Sequence, residues 1–234
     1  MSTATEGLET KVKAAKEASR KLASLSADIK NRALHNIADN LLTRQDAILA
    51  ANEADCKEAA ASGMNQALLD RLTLSPSRLE GIASDVRAVA ALPDPVGELF
   101  DGRALPNGLV IIRKRVPFGV MAAIYESRPN VTIDISVLCL KSSNAIVLRG
   151  GKEAIHSNGA LAALVRDSIT QAGMPAGVVQ FIENTDRTLI NHLLTLNKYI
   201  DLIVPRGGAE LIEFILANAS MPVIAAGDSV CHTY

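Results

Sequence analysis

Apolar residues recur at helical spacing through the first third of the chain. Leu8, Val12, Ala15, Leu22 and Leu25 form one stripe, and Leu34, Ile37, Leu41 and Ile48 form a second after Ser26, whose hydroxyl suits an N-cap. Gly63 suits a helix end. Ser75-Pro76 then sets a cap and a first-turn proline in order, ahead of Leu79, Ile82, Val86 and Val89 on one face. The spacing predicts amphipathic helices packed by their stripes.

The pattern changes at Leu92-Pro93-Asp94-Pro95, where two prolines end the helical region. From Glu98 to Val116 two extended runs flank Pro106-Asn107-Gly108, whose Asn-Gly step predicts a tight hairpin turn. A lone two-stranded ribbon is marginal in water, so this one is expected to pack on another subunit or domain. Arg113, Lys114 and Arg115 serve equally well as solvated edge charges.

Beyond Pro117, short apolar runs alternate with helical stretches. A strand over Gly119 to Ile124 leads into the polar loop Tyr125-Glu-Ser-Arg-Pro-Asn-Val-Thr132 and a helix from Ile133 to Leu140. A strand from Asn144 to Leu148, a helix from Glu153 to Gln171, a strand from Val178 to Ile182, a helix from Arg187 to Leu196 and a strand from Tyr199 to Val204 follow. This alternation with short joins predicts a right-handed, doubly wound parallel sheet, which binds ligands beyond the carboxyl ends of its strands.

Two tripeptides at that end carry candidate chemistry. Arg149-Gly150-Gly151 and Arg206-Gly207-Gly208 each leave an apolar run and enter a helix-forming stretch. At such a turn glycine lets a phosphate approach the backbone, the first helical N–H groups are unpaired donors, and arginine keeps its charge at neutral pH. The repetition points to nucleotide phosphate, although glycine after a strand is also ordinary turn chemistry and G-x-G-x-x-G is absent.

Composition narrows the class. With 234 residues, 48% hydrophobic and 3% aromatic, the chain buries a core of Ala, Leu, Val and Ile. Its 24 basic and 25 acidic residues cancel, which excludes a whole-surface attraction to nucleic acid or membrane and makes any anion site local. Cys56, Cys139 and Cys231 are scattered and form no Cys-x-x-Cys pair, as expected of a reducing compartment. The early segment carries Glu6, Glu9 and Glu17 without an apolar core for targeting, so a cytoplasmic location is expected. His35, His156 and His192 lack metal-ligand spacing, and no metal is expected.

The octapeptide Tyr125 to Thr132, the run Leu140-Lys-Ser-Ser-Asn-Ala-Ile-Val-Leu-Arg-Gly-Gly-Lys-Glu153 and Ile203-Val-Pro-Arg-Gly-Gly208 together closely resemble the γ-glutamyl phosphate reductase family of the aldehyde dehydrogenase superfamily. Asp94-Pro95, Met221-Pro-Val-Ile224 and Cys231-His232 fit the same pattern. The resemblance implies an α/β fold with a doubly wound, Rossmann-like parallel sheet of aldehyde dehydrogenase type, N-terminal helices and a protruding β-hairpin arm. It divides the chain into a helical part of the cofactor-binding domain over 1–97, an oligomerisation arm over 98–116, an NADPH-binding domain over 117–228 and the start of a catalytic domain over 229–234.

The implied reaction is NADPH-dependent reduction of L-glutamyl 5-phosphate to L-glutamate 5-semialdehyde with release of phosphate, in proline biosynthesis. A cysteine thiolate displaces phosphate, and hydride reduces the resulting thioester. By the resemblance the nucleophilic cysteine lies beyond Tyr234, and Cys231 is structural. Arg149, Gly150, Gly151 and Lys152 take the place of a superfamily Lys-Pro-(Ser/Ala)-Glu turn at the adenosine ribose. Lys152 instead of a carboxylate favours a 2′-phosphate, hence NADPH over NADH. Pro205, Arg206, Gly207 and Gly208 lie against the pyrophosphate, while Arg128 and Asn130 contact substrate, Asn130 at the oxyanion. An ion pair for Arg128 and a helix cap for Asn130 are the structural alternatives. Near Ala225-Ala226-Gly227, where the superfamily keeps a general-base glutamate, no carboxylate occurs, as suits a reductase. The implied partners are copies of the same chain, as dimer or tetramer, and glutamate 5-kinase. Two other readings stay open: a truncated, inactive NADPH-binding or assembly fragment, and an unrelated phosphate-binding transferase or kinase, against which the missing G-x-x-x-x-G-K-[ST] counts.

Overall fold

A computed structural model describes residues 3–225. Five helices come first: α1 (Thr3–Leu22), α2 (Ala27–Thr43), α3 (Gln45–Ala61), α4 (Gln66–Leu72) and α5 (Pro76–Ala91). Their starts are set by side-chain caps: Ser26 accepts from the Ile29 N–H, Asn65 from Leu68 and Ser75 from Arg78, with Pro76 in the first turn. Gly63 ends α3 with φ +80°. The stripe predicted from Leu34 to Ile48 is broken at Arg44 (φ −111°, ψ 19°), so Ile48 belongs to α3. The short helix α4 has a cap at Asn65 but too few turns to show a periodicity.

A hairpin follows, with β1 (Leu99–Ala104) antiparallel to β2 (Val110–Lys114) and a register shift between Phe100 and Arg103. Its turn is tight, as expected. Only Gly108 has positive φ, and Leu105 exchanges hydrogen bonds with Gly108 and Leu109, so Pro106-Asn107-Gly108 is a three-residue loop rather than a mirror-image two-residue turn.

The parallel sheet comprises β3 (Val120–Tyr125), β4 (Ala145–Arg149), β5 (Val179–Phe181) and β6 (Leu202–Arg206), in the order β5-β4-β3-β6. The helices α6 (Asn130–Lys141), α7 (Ile155–Gln171) and α8 (Thr188–Leu193) connect them, and α9 (Ala209–Asn218) leaves β6. The chain steps from β3 to β4 to β5 and then returns past β3 to β6. Right-handed crossovers therefore place α6 and α7 on one face and α8 on the other, where it meets α1. The helices α2, α3 and α5 cover α6 and α7, and one continuous apolar core runs from Leu8 of α1 through the sheet to Val86 of α5. Gly119, at φ +122°, admits the chain to β3 beneath the Asp201 carboxylate, which accepts from the Val120 N–H.

Several boundaries moved: β6 spans Leu202–Arg206 rather than Tyr199 to Val204, and α8 ends at Leu193 rather than Leu196. The α6 helix begins at Asn130 rather than Ile133 because Pro129 already has helical φ and ψ, and the helix predicted from Glu153 opens as a 3-10 turn, Lys152–Ala154, before α7. Pro205 is tolerated within β6 because its outer side meets only a single bridge, Ile203 to Val223, among the described residues.

Candidate functional site

The direction of strand travel reverses between β3 and β6, and a crevice opens beyond their carboxyl ends, where doubly wound sheets bind ligands. The last strand pair is Tyr125 with Arg206, and the Glu126 N–H donates to the Arg206 carbonyl, which brings the polar loop and the second Arg-Gly-Gly turn together. Between them lies a cavity of about 440 Å³ lined by Arg71, Glu126, Ser127, Arg128, Pro205, Arg206, Gly207 and Gly208, with Leu68 and Ile212. A second cavity of about 450 Å³ shares Arg71 and Arg128 and reaches Asp70, Arg78, Asp85 and Asn130.

One expectation for the second turn needs correction. The Gly208 N–H at the start of α9 is not a free donor: it donates to Glu126 Oε2 at 3.1 Å. The same carboxylate fills the space a β-carbon on Gly207 would need. An anion already rests on the helix start, as the helix dipole favours, and the protein itself supplies it. The Arg206 guanidinium, exposed beside it, has no hydrogen bond or ion pair with other described residues.

The first turn departs further from expectation. Arg149 points into the protein at 8% exposure, donating to the carbonyls of Gly150 (3.2 Å) and Thr185 (2.8 Å), and burial lowers its pKa. Its Nε is buried without a partner among the described residues. A β-carbon on Gly150 would collide with the Asn158 amide and come within 3.2 Å of the Tyr125 ring. Gly150 is thus a packing requirement beneath the chain Tyr125 hydroxyl, Thr132 hydroxyl, Asn158 Oδ1 (2.7 and 3.0 Å). Gly151 abuts the Glu153 carboxylate, which accepts from the Ser127 N–H and hydroxyl (2.6 and 2.8 Å) and ties this turn to the polar loop. The expected free N–H groups at the start of α7 are occupied too. Those of His156 and Ser157 donate to the buried Asp55 of α3. What the first turn offers a ligand is Lys152, exposed and without a partner among the described residues.

The loop residues divide between the alternatives. Arg128 forms no ion pair among the described residues and lines both cavities. Asn130 is not a cap: it is the first residue of α6, and its amide donates to Asp134 at 2.8 Å. Burial, with a smaller contribution from Asp85, raises the Asp134 pKa against the opposing hydrogen bond from Asn130. Burial also pushes the Cys139 thiol up to about 12, which makes it a core residue and no nucleophile. The reading of 229–234, Cys231 included, lies outside the described residues, as does Ala226-Gly227. Among the described residues no three His, Cys, Asp or Glu side chains gather as a metal site, and no helix is long and apolar enough to cross a membrane.

Arg71, Glu126, Glu153 and Asp55 are site residues that the linear pattern did not single out. Glu153 follows the first glycine turn and Glu126 lies in the polar loop, but their partners are set by strand pairing.

The family model for the aldehyde dehydrogenase family matches residues 2–226. The chain belongs to that family. It is 59% identical over 227 residues to the γ-glutamyl phosphate reductase of Dehalococcoides mccartyi strain CBDB1, covering 97% of this chain and 54% of the relative, and 51% identical over 221 residues to that of Escherichia coli O6:K15:H31, covering 94% and 53%. Among solved structures, the Thermotoga maritima γ-glutamyl phosphate reductase superposes with TM-score 0.91 at 41% identity, over 94% of this chain and 53% of that one. The Saccharomyces cerevisiae counterpart gives 0.87 at 35%, over 97% and 57%. The chain thus spans about half the length of the relatives it matches.

Proposed function

We propose that this chain is the cofactor-binding part of an NADP(H)-dependent γ-glutamyl phosphate reductase, which converts L-glutamyl 5-phosphate to L-glutamate 5-semialdehyde and phosphate. The observation that carries the reading is the cavity at the β3/β6 reversal, where three arginines that form no ion pair among the described residues surround a glycine turn, with a lysine equally unpaired among them across β3. The similarity to reductases over nearly the whole chain supports it. A neighbour sharing the fold, an engineered glycolyl-CoA reductase of 20% identity and TM-score 0.68, was solved with NADP+.

The residues present fit a dinucleotide phosphate after one rearrangement. The Arg149 turn ends β4 and the Arg206 turn ends β6, on opposite sides of β3, hence roughly 10 Å apart at ~4.8 Å per strand. Lys152 on one side holds a 2′-phosphate, and Gly207, Gly208 and Arg206 on the other hold the pyrophosphate once Glu126 releases the Gly208 N–H. The bound nicotinamide supplies hydride. Arg128 and Asn130 orient the substrate at the mouth, and Asp134 fixes the Asn130 amide by accepting its hydrogen bond. The buried Tyr125-Thr132-Asn158 chain and Glu153 keep the loop in register with the turn. The hairpin leaves Leu99, Val110 and Ile112 more than half exposed, which supports a homo-oligomer built through this ribbon. Partnership with glutamate 5-kinase and a cytoplasmic location rest on the assigned reaction alone.

Comparing NADPH and NADH affinities by titration, for the parent chain and Lys152→Glu, tests the reading. NADPH is expected to bind the parent more tightly and to lose about 10- to 100-fold in the variant, one charge-assisted pair, while NADH is barely affected. An unchanged preference refutes the role of Lys152, and no uptake of either dinucleotide refutes the cofactor site.

A further inference from the structure

The reductase reading leaves Arg71 unused. This arginine stands in the last turn of α4, a short helix fastened in place by its neighbour: Arg78 donates to the Asp70 and Thr73 carbonyls and to Asp70 Oδ1. The adjacent Asp70 carboxylate is thereby committed to Arg78, and the Arg71 guanidinium has no hydrogen bond or ion pair with a side chain or carbonyl among the described residues. The Arg128 guanidinium, from the polar loop after β3, is in the same condition among the described residues. These two are the residues common to both cavities, so they form the wall between the crevice at the Arg206 turn and the one at Asn130. In the first cavity three arginines face the single carboxylate of Glu126, which already caps Gly208.

We infer that Arg71 and Arg128 together seat the phosphoryl group of the acyl phosphate substrate, and that inorganic phosphate departs from the same seat. The inference rests on the reductase reading and adds to it a residue from a different helix. Two guanidinium groups present forked donors that match a phosphoryl dianion, and arginine holds its charge throughout the working pH range. When the acyl C–O bond breaks, its electron pair stays on the phosphate oxygen. Fixed cations at that oxygen stabilise the growing charge without reorganising. The position between the two cavities sets the scissile bond beside both the cofactor turn and Asn130.

Calorimetric titration of the 234-residue chain with a non-hydrolysable γ-glutamyl phosphonate, in phosphate-free buffer with and without NADPH, tests this. Arg71→Ala and Arg128→Ala are each expected to weaken the phosphonate about 10- to 100-fold, the worth of hydrogen bonds to a charged group, with Arg71→Lys between parent and Ala. NADPH affinity should stay unchanged, inorganic phosphate should compete with the phosphonate and not with NADPH, and Arg44→Ala, which removes a surface cation paired with Asp167, should change neither. Phosphonate affinity that survives Arg71→Ala overturns the inference, as does NADPH uptake by a parent chain that ignores the phosphonate. Equal losses for NADPH and phosphonate reassign Arg71 to the cofactor. If the parent binds neither ligand, the reductase reading itself fails and this inference falls with it.

Discussion

Replacing Glu126 by Gln separates two roles of one carboxylate. In the structure Glu126 Oε2 accepts from the Gly208 N–H at 3.1 Å, on the helix start assigned to the cofactor pyrophosphate. The isosteric amide keeps an oxygen acceptor and removes the charge. A like charge at ~4 Å costs about 1 kcal/mol in a water-like dielectric, the relevant limit for an exposed side chain, so the two charges of a pyrophosphate oppose Glu126 by about 1–2 kcal/mol. Glu126→Gln should therefore bind NADPH about 5- to 30-fold more tightly at low ionic strength, with the gain shrinking as salt rises. Folding stability should move the other way by less than about 1 kcal/mol, because the α9 dipole loses its counter-charge. Fluorescence titration at two salt concentrations and a thermal melt read both effects. If NADPH binds the variant less tightly while the melt is unchanged, Glu126 is a cofactor ligand and not its competitor; an unaltered affinity places the pyrophosphate away from Gly208.

Two further outcomes test the surrounding frame. Gly150→Ala should lower stability by about 1–3 kcal/mol because the Asn158 amide and Tyr125 ring leave no room for a methyl group, and Asn158→Ala in the same chain should recover part of that loss; additive losses in denaturant melts would contradict the packing role. Asp134→Asn should stabilise the protein at neutral pH. Burial raises the Asp134 pKa in the folded state, so the unfolded chain ionises more readily, and the carboxyl's favourable contribution is present below its ordinary value of 3.8 and lost as pH rises through the folded value. The stability gap between variant and parent should accordingly open with rising pH and close in acid; a pH-independent gap would rule this out.

Periodicity and caps made much of the architecture legible. Ser26 and Ser75-Pro76 start helices and Gly63 ends one where local hydrogen bonding and φ preference require, and the short apolar runs of β3 and β4 are buried on both faces as a covered parallel sheet demands. Two of the misjudged boundaries share a cause. Ile48 continues the spacing of α2 although the backbone turns at Arg44, and Pro129 is compatible with either a loop or a helix start, so neither pattern marks the break.

The candidate site was legible in its location and obscure in its contents. Glycine turns after apolar strands marked the carboxyl edge of the sheet, and the octapeptide marked the loop between them. Nothing local indicated that Asp55, 101 residues from His156, caps α7, that Glu126 caps α9 across 82 residues, or that Arg149 turns inward. By itself, then, the order of residues determined the elements, their alternation and the two glycine turns, because caps, φ limits and hydrophobic period act over a few positions. Which helix starts remain open to an anion, and which arginines face a cavity without a counter-ion, was decided only when strand pairing and helix packing set distant carboxylates in place, since electrostatics acts through space and not along the chain.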